Sequence, residues 1–205
     1  ISYMNGESRH VTNLLLYYPI TSVWAHADPV FSNKVNYYEI MNPKVWNSTA
    51  NLVNDYYSRL ILELTARHWD HNIADDYYLD KARIEGKELV IGNQRFSAVV
   101  LPPLTTLRRA TLKKLIDFYQ AGGTILGIRL LPDSSPEMGG NDAAIKEGIA
   151  RLFGAEAGGT PRAYAGQQNA KGGRAYFIAS EVGKLVDMLD AQLPKDVQVV
   201  EGSDS

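Results

Sequence analysis

Residues 11–19, "VTNLLLYYP", decide how the chain is read. Thr12 to Tyr18 is expected to be a strand covered on both faces, because its apolar run barely alternates. It empties into "YYPITSVWAHADPVF", Tyr17 to Phe31, which reads as a long loop. The loop sets Trp24, His26 and Asp28 two residues apart between Pro19 and Pro29. A strand that ends among such side chains points to a contact surface or a ligand crevice, and Trp24 and His26 are expected to project away from the domain's own core.

Outward from that strand, the apolar periodicity switches repeatedly between helix and strand. Asn47, Ser48 and Thr49 offer N-caps for a helix that buries Val53, Tyr57, Leu60, Ile61 and Leu64 and runs to about Arg67. His71 to Asp75 reads as a short second strand, and "DDYYLDKA" as a loop or single helical turn. "RIEGKELVIGNQRF" is a small β excursion that turns at Gly86 and at Gly92-Asn93. Ser97 to Leu101 is a core strand stopped by Pro102-Pro103. Thr105 or Thr106 is expected to cap the next helix, which carries Leu112, Leu115, Ile116 and Tyr119 and ends at Gly122. Thr124 to Leu131 is a further buried strand, expected with Ser97–Leu101 to flank the first, and Asn141 the expected cap of a helix over Ile145, Ile149, Leu152 and Phe153. The stretch from Gly154 to Gly173 reads as a surface connection. "RAYFIA" is a strand, and Ser180 the expected cap of a last helix over Val182, Leu185, Val186 and Leu189.

About four strand–helix alternations predict an open, mostly parallel sheet with helices on both faces. The expected fold is α/β, a flavodoxin-like three-layer sandwich, with too few strands for a (β/α)8 barrel. Sheets of this kind take ligands beyond the carboxyl ends of their strands. That rule selects four loops: residues 19–31, 75–78, 102–106 and 129–135.

The composition sets limits. Apolar residues make up 45 % of the 205, which is globular. With 21 basic and 23 acidic side chains and no basic stripe, nucleic acid is not an expected partner. No apolar run approaches the ~20 residues of a membrane span, so a membrane is not one either. Without cysteine there is no disulfide, zinc-thiolate site or cysteine nucleophile.

Each chemical motif has a plainer reading. A flavin phosphate loop needs glycine and an immediate helix after the first strand. Thr21 and Ser22 stand there without either, so no flavin and no other cofactor is expected. The related class I glutamine amidotransferase fold sets a cysteine at an elbow after its third strand. Here "LPPLTT" occupies that place, and no Gly-x-Ser-x-Gly elbow exists. His26 and Asp28, even joined by Asp75 and Asp76, form a weak metal pattern, and no metal is expected. The favoured reading makes Asp28 a turn cap and His26 a surface hydrogen-bonder. Asp75 and Asp76 are adjacent and do not flank a glycosidic bond as two hydrolytic carboxyls must. A helix N-cap with packing tyrosines explains them better. Trp24, His26, Asp28, Asp75, Asp76 and Tyr77 remain candidates for the rim of a ligand site, and no catalytic residue is assigned.

"LLLYYPITSVWAH", "HWDHNIADDYYLDKARIEGKELVIGNQRFSAVVLPP" and "FYQAGGTILG" together resemble a region of the α-L-rhamnosidases of glycoside hydrolase family 106 and their uncharacterised relatives. The resemblance runs from about Ser8 to Phe153. It implies a non-catalytic, glutamine-amidotransferase-like domain that follows a catalytic (β/α)8 barrel and precedes a β-sandwich. That arrangement is similar to the trimerisation domain of family 42 β-galactosidases. Residues 1–10 would then be the tail of the last barrel helix, 11–200 a single α/β domain, and 201–205 the lead into the next. The general acid and base would lie upstream. The expected partners are neighbouring domains of the parent, with an oligosaccharide or further copies of the chain as alternatives. A parent of this class is expected in the periplasm or secreted. Two rival readings are an autonomous carbohydrate- or small-molecule-binding module and a pure oligomerisation domain.

Overall fold

The computed structural model describes residues 10–26, 48–158, 164–179 and 181–195. Its first strand is β1 (Leu14–Tyr17), buried along its whole length. β1 pairs in parallel with β2 (Asn72–Ala74) on one side and β6 (Ala98–Leu101) on the other. β7 (Thr124–Ile128) and β9 (Arg174–Ile178) extend the parallel run beyond β6. β8 (Tyr164–Gln168) closes that edge antiparallel to β9. The six-stranded order is β2-β1-β6-β7-β9-β8. Without the antiparallel edge this is the flavodoxin-like order 2-1-3-4-5.

From β1 the chain winds one way to β2 and the other way through β6, β7 and β9. Crossovers of one hand then place their helices on opposite faces. The burial agrees. Leu15, Tyr17, Val99, Leu101, Ile125 and Phe177 face α4 (Arg109–Ala121) and α5 (Ala143–Phe153). Their sequence neighbours Leu14, Leu16, Ala98, Val100, Leu126 and Ile178 face α2 (Ser48–Ala66) and α6 (Val182–Gln192). Period-2 alternation thus supplies two cores from one sheet. Each Leu, Ile or Phe so buried stabilises the fold by about 1.5–3 kcal/mol. Trp69 is buried in the second core, with its indole N–H donating to Asp190 at 2.9 Å.

A three-stranded antiparallel meander, β3 (Arg83–Glu85), β4 (Glu88–Ile91) and β5 (Gln94–Phe96), leads into β6. It adds Leu89 and Phe96 to the first core. α4 and α5 end at Gly122 and Gly154, with φ of 115° and 65°. That left-handed backbone is what a glycine C-cap supplies.

Several local expectations are corrected. Residues after Pro19 do not form a loop but α1 (Ile20–Ala25). One ground for expecting no flavin loop, the lack of an immediate helix, therefore fails; the lack of glycine stands. α4 begins three residues after Thr106, with Arg108 at its N-cap and no side-chain cap. Thr105 and Thr106 are engaged elsewhere, with Ser22 and residue 134. Asp142, not Asn141, caps α5 by accepting from the Ala144 N–H at 3.0 Å. Glu181 precedes α6 at the N-cap position, and Ser180 lies outside the described residues. Strand β8 lies within the expected connection from Gly154 to Gly173. β7 neighbours β6 and does not flank β1. Residues 1–9 and 201–205, expected to belong to adjoining units, lie outside the described residues, as do 196–200 at the end of the expected α/β domain. Among those described, no helix is long and apolar enough to cross a membrane.

Candidate functional site

All four loops selected by the sheet rule meet at one open cleft of about 900 Å³. It lies where the chain reverses its winding, between the carboxyl ends of β1 and β6, the usual ligand position in such sheets. α1 forms one wall, the start of α3 (Asp76–Lys81) another, Thr106 and Arg108 a third, and residues from 134 to 140 the fourth.

The floor is held by polar side chains whose bonds are all internal. Ser22 is buried and donates to the Thr106 carbonyl at 2.8 Å. Its Oγ also accepts from the Thr105 and Thr106 N–H groups at 3.2 and 3.1 Å. One hydroxyl thereby staples α1 to the loop after β6. Asp76 is only 6 % exposed. It accepts from the Tyr17 hydroxyl at 2.9 Å, Thr21 Oγ1 at 2.6 Å and Thr111 Oγ1 at 2.5 Å. Those donors come from β1, α1 and α4, so this carboxylate ties three elements together. Burial, then the Asp76 charge, pushes the Tyr17 phenol far above its ordinary range, so Tyr17 stays a neutral donor.

The fourth wall is braced by a second carboxylate. Asp142 accepts both Arg109 Nε and Nη2 at 2.8 Å and Ser135 Oγ at 2.5 Å. The Arg109 guanidinium, then the Ser135 hydroxyl, holds the Asp142 carboxyl well below the usual carboxylate range. A bridge between Thr106 and Ser134, and the Leu107 N–H on the Ser134 carbonyl at 3.0 Å, join this wall to the third.

The rim differs. Trp24 is 69 % exposed and Tyr77 58 %. Lys81 donates to the Tyr77 hydroxyl and lies 3.7 Å from its ring centroid, covering one face. Asp75 caps α3 through one oxygen, accepting from the Tyr78 N–H at 3.3 Å. His26 is half-buried with Nε2 2.9 Å from Thr105 Oγ1. Of the two side chains expected to project away from the core, Trp24 does, whereas His26 turns back onto Thr105. Arg108 pairs with Asp80 at 3.2 Å.

Five of the six rim candidates, Trp24, His26, Asp75, Asp76 and Tyr77, therefore line one cleft. Asp28 lies outside the described residues. Asp75 and Asp76 do not oppose each other across it; one caps a helix and the other is enclosed by hydroxyls. Among the described residues no three His, Cys, Asp or Glu side chains gather as metal ligands. The sequence reading did not single out Thr21, Ser134 or Ser135, although they lie in loops it selected, and it missed Arg108, which lies outside those loops. It also missed Arg129, at the carboxyl end of β7, with a strained φ of 71° and a buried Nε lacking a partner. "LPPLTT", the expected elbow position, has no such strained residue.

No family model and no curated protein matches the chain. Solved structures do. The GH42 β-galactosidase Gan42B matches with a TM-score of 0.60 at 11 % identity, over 89 % of this chain and 30 % of that one. A catalytic mutant of the same enzyme, from G. stearothermophilus, gives 0.58 at 12 % identity, over 92 % and 31 %. The β-galactosidase of Halorubrum lacusprofundi gives 0.52 at 15 %, over 91 % and 31 %. At these identities the likeness is one of fold. The chain spans about 30 % of the length of the structures it matches, and it has the α/β fold of that portion of GH42 β-galactosidases.

Proposed function

We propose that the chain is an accessory, non-catalytic α/β domain of a larger glycoside hydrolase, with the cleft end of its sheet turned toward the domain that does the chemistry. The observation that carries this reading is the fit of nearly the whole chain to under a third of each matched β-galactosidase. The cleft supports it. Its carboxylates are engaged in capping and bracing, while its aromatic rim is left open. The finer identity of the parent, an α-L-rhamnosidase-like enzyme, rests on the resemblance of Ser8 to Phe153 and on nothing else.

The coding sequence around residues 1–205 tests the proposal. A (β/α)8 barrel with two carboxylates upstream is the expected result. A reading frame that holds this α/β unit alone would overturn it. The purified chain is also expected to release no aglycone from aryl α-L-rhamnoside or aryl β-D-galactoside. Reproducible turnover that disappears in Asp75→Asn would make the chain an enzyme in its own right.

A further inference from the structure

We infer that the cleft is itself a binding site for a neutral saccharide, with the Trp24 indole as platform for one pyranose ring. The inference deepens the accessory-domain reading by assigning a ligand class to this chain's own residues.

Among the described residues, Asp75 and Asp76 line the cleft against one guanidinium, Arg108, which already pairs with Asp80. A phosphate or carboxylate ligand would meet net negative charge from these groups. A metal ion would meet no set of three ligands among the described residues. The ligand that fits is neutral.

The second step is hydrogen-bonding capacity. Among the described residues, Trp24 Nε1 has no partner, the second oxygen of Asp75 is free, and His26 uses only Nε2. Arg108 keeps donors beyond the one on Asp80. These donors and acceptors line the same cleft as the exposed indole. A sugar ring has the matching form, an apolar C–H face bordered by hydroxyls that each donate and accept. A purely apolar ligand would strand these groups.

The third step is rigidity. The wall that carries Trp24 is fixed from beneath by Ser22 and by Thr21 on Asp76. The Asp75 oxygen is oriented by its cap on α3. Such preorganisation lowers the ordering cost of a weak ligand.

The test uses the indole N–H signals of the 205-residue chain in a ¹H–¹⁵N spectrum. The chain has three tryptophans, and Trp69, buried with its N–H on Asp190, is an internal control. Methyl β-D-galactopyranoside and methyl α-L-rhamnopyranoside are added in turn to about 100 mM, which would saturate a site with Kd on the order of 1–10 mM. The Trp24 signal is expected to shift saturably with at least one glycoside while Trp69 stays still. In Trp24→Ala, binding is read from the Tyr77 and Tyr78 backbone amides, and is expected to be at least tenfold weaker. Sodium phosphate is expected to give no saturable shift. Linear, unsaturated shifts with both glycosides, saturation by phosphate alone, or unchanged affinity in Trp24→Ala would each overturn the inference. The two proposals fail separately. A saturable sugar shift without an upstream barrel leaves a free-standing binding module. A barrel without the shift removes only the saccharide site.

Discussion

At the floor of the cleft, Asp76 accepts three hydroxyl hydrogen bonds and is nearly sealed from water. At the rim its neighbour Asp75 accepts one backbone N–H and keeps an oxygen free. The same contrast separates Ser22, buried with three internal bonds, from Trp24, two residues on and 69 % exposed. Adjacent residues of equal chemical promise thus do opposite work. The floor groups hold the loops in place, and the rim groups keep exposed surface and hydrogen-bonding capacity that the described residues do not use. Proximity to a cleft is therefore a poor guide to function unless each side chain's existing bonds are counted first.

That contrast can be broken by mutation. Asp76→Ala is expected to have the largest effect, a loss of roughly 3–5 kcal/mol, because it leaves the buried Tyr17 and Thr111 hydroxyls without an acceptor. Urea unfolding measures it. A loss no larger than that of a surface substitution would show that Asp76 braces nothing. Ser22→Ala follows, at about 1–3 kcal/mol, since the Thr105 and Thr106 N–H groups lose their partner.

Asp142 predicts a pH effect. Its folded-state pKa is depressed, by Arg109 first. Its contribution is present above the unfolded value of about 3.9 and is lost as pH falls below it. Thermal midpoints of the native chain should therefore drop more steeply below about pH 4 than those of Asp142→Asn. Parallel curves would mean that the Arg109 pairing contributes no pH-dependent stability. The smallest change is expected from Trp24→Ala, under about 1 kcal/mol, against the ~3–5 kcal/mol of a core aromatic.

The parts of this arrangement that the sequence disclosed are those set by burial or topology. β1, β6 and β7 are continuous apolar runs because both sheet faces are covered, and such runs need no context to be recognised. The meeting of the four loops follows from strand order and the carboxyl-end rule. What escaped was set by tertiary contacts. α1 contains Ile20, Thr21, Ser22 and Val23, all weak helix formers, and it is held by Ser22 bonding to the loop after β6 and Thr21 bonding to Asp76 at the start of α3. Thr105 and Thr106 look like caps but bond across the cleft to Ser22. "YAGQQ" in β8 lacks an apolar run because an edge strand needs none. In the site, a cap among Asp75 and Asp76 was legible from the N-cap preference of Asp, whereas the enclosure of Asp76 by three hydroxyls, the nearest 35 residues away, was not.

The most direct test of the division between floor and rim is a paired measurement on Trp24→Ala in the larger glycoside hydrolase proposed to contain this chain. Stability and kcat/KM on the parent's glycoside are determined together. The expected result is an unfolding midpoint close to that of the native protein and a kcat/KM lowered by about tenfold, equivalent to some 1.4 kcal/mol of transition-state stabilisation. An unchanged kcat/KM, or a loss of stability of the size seen in Asp76→Ala, would contradict it.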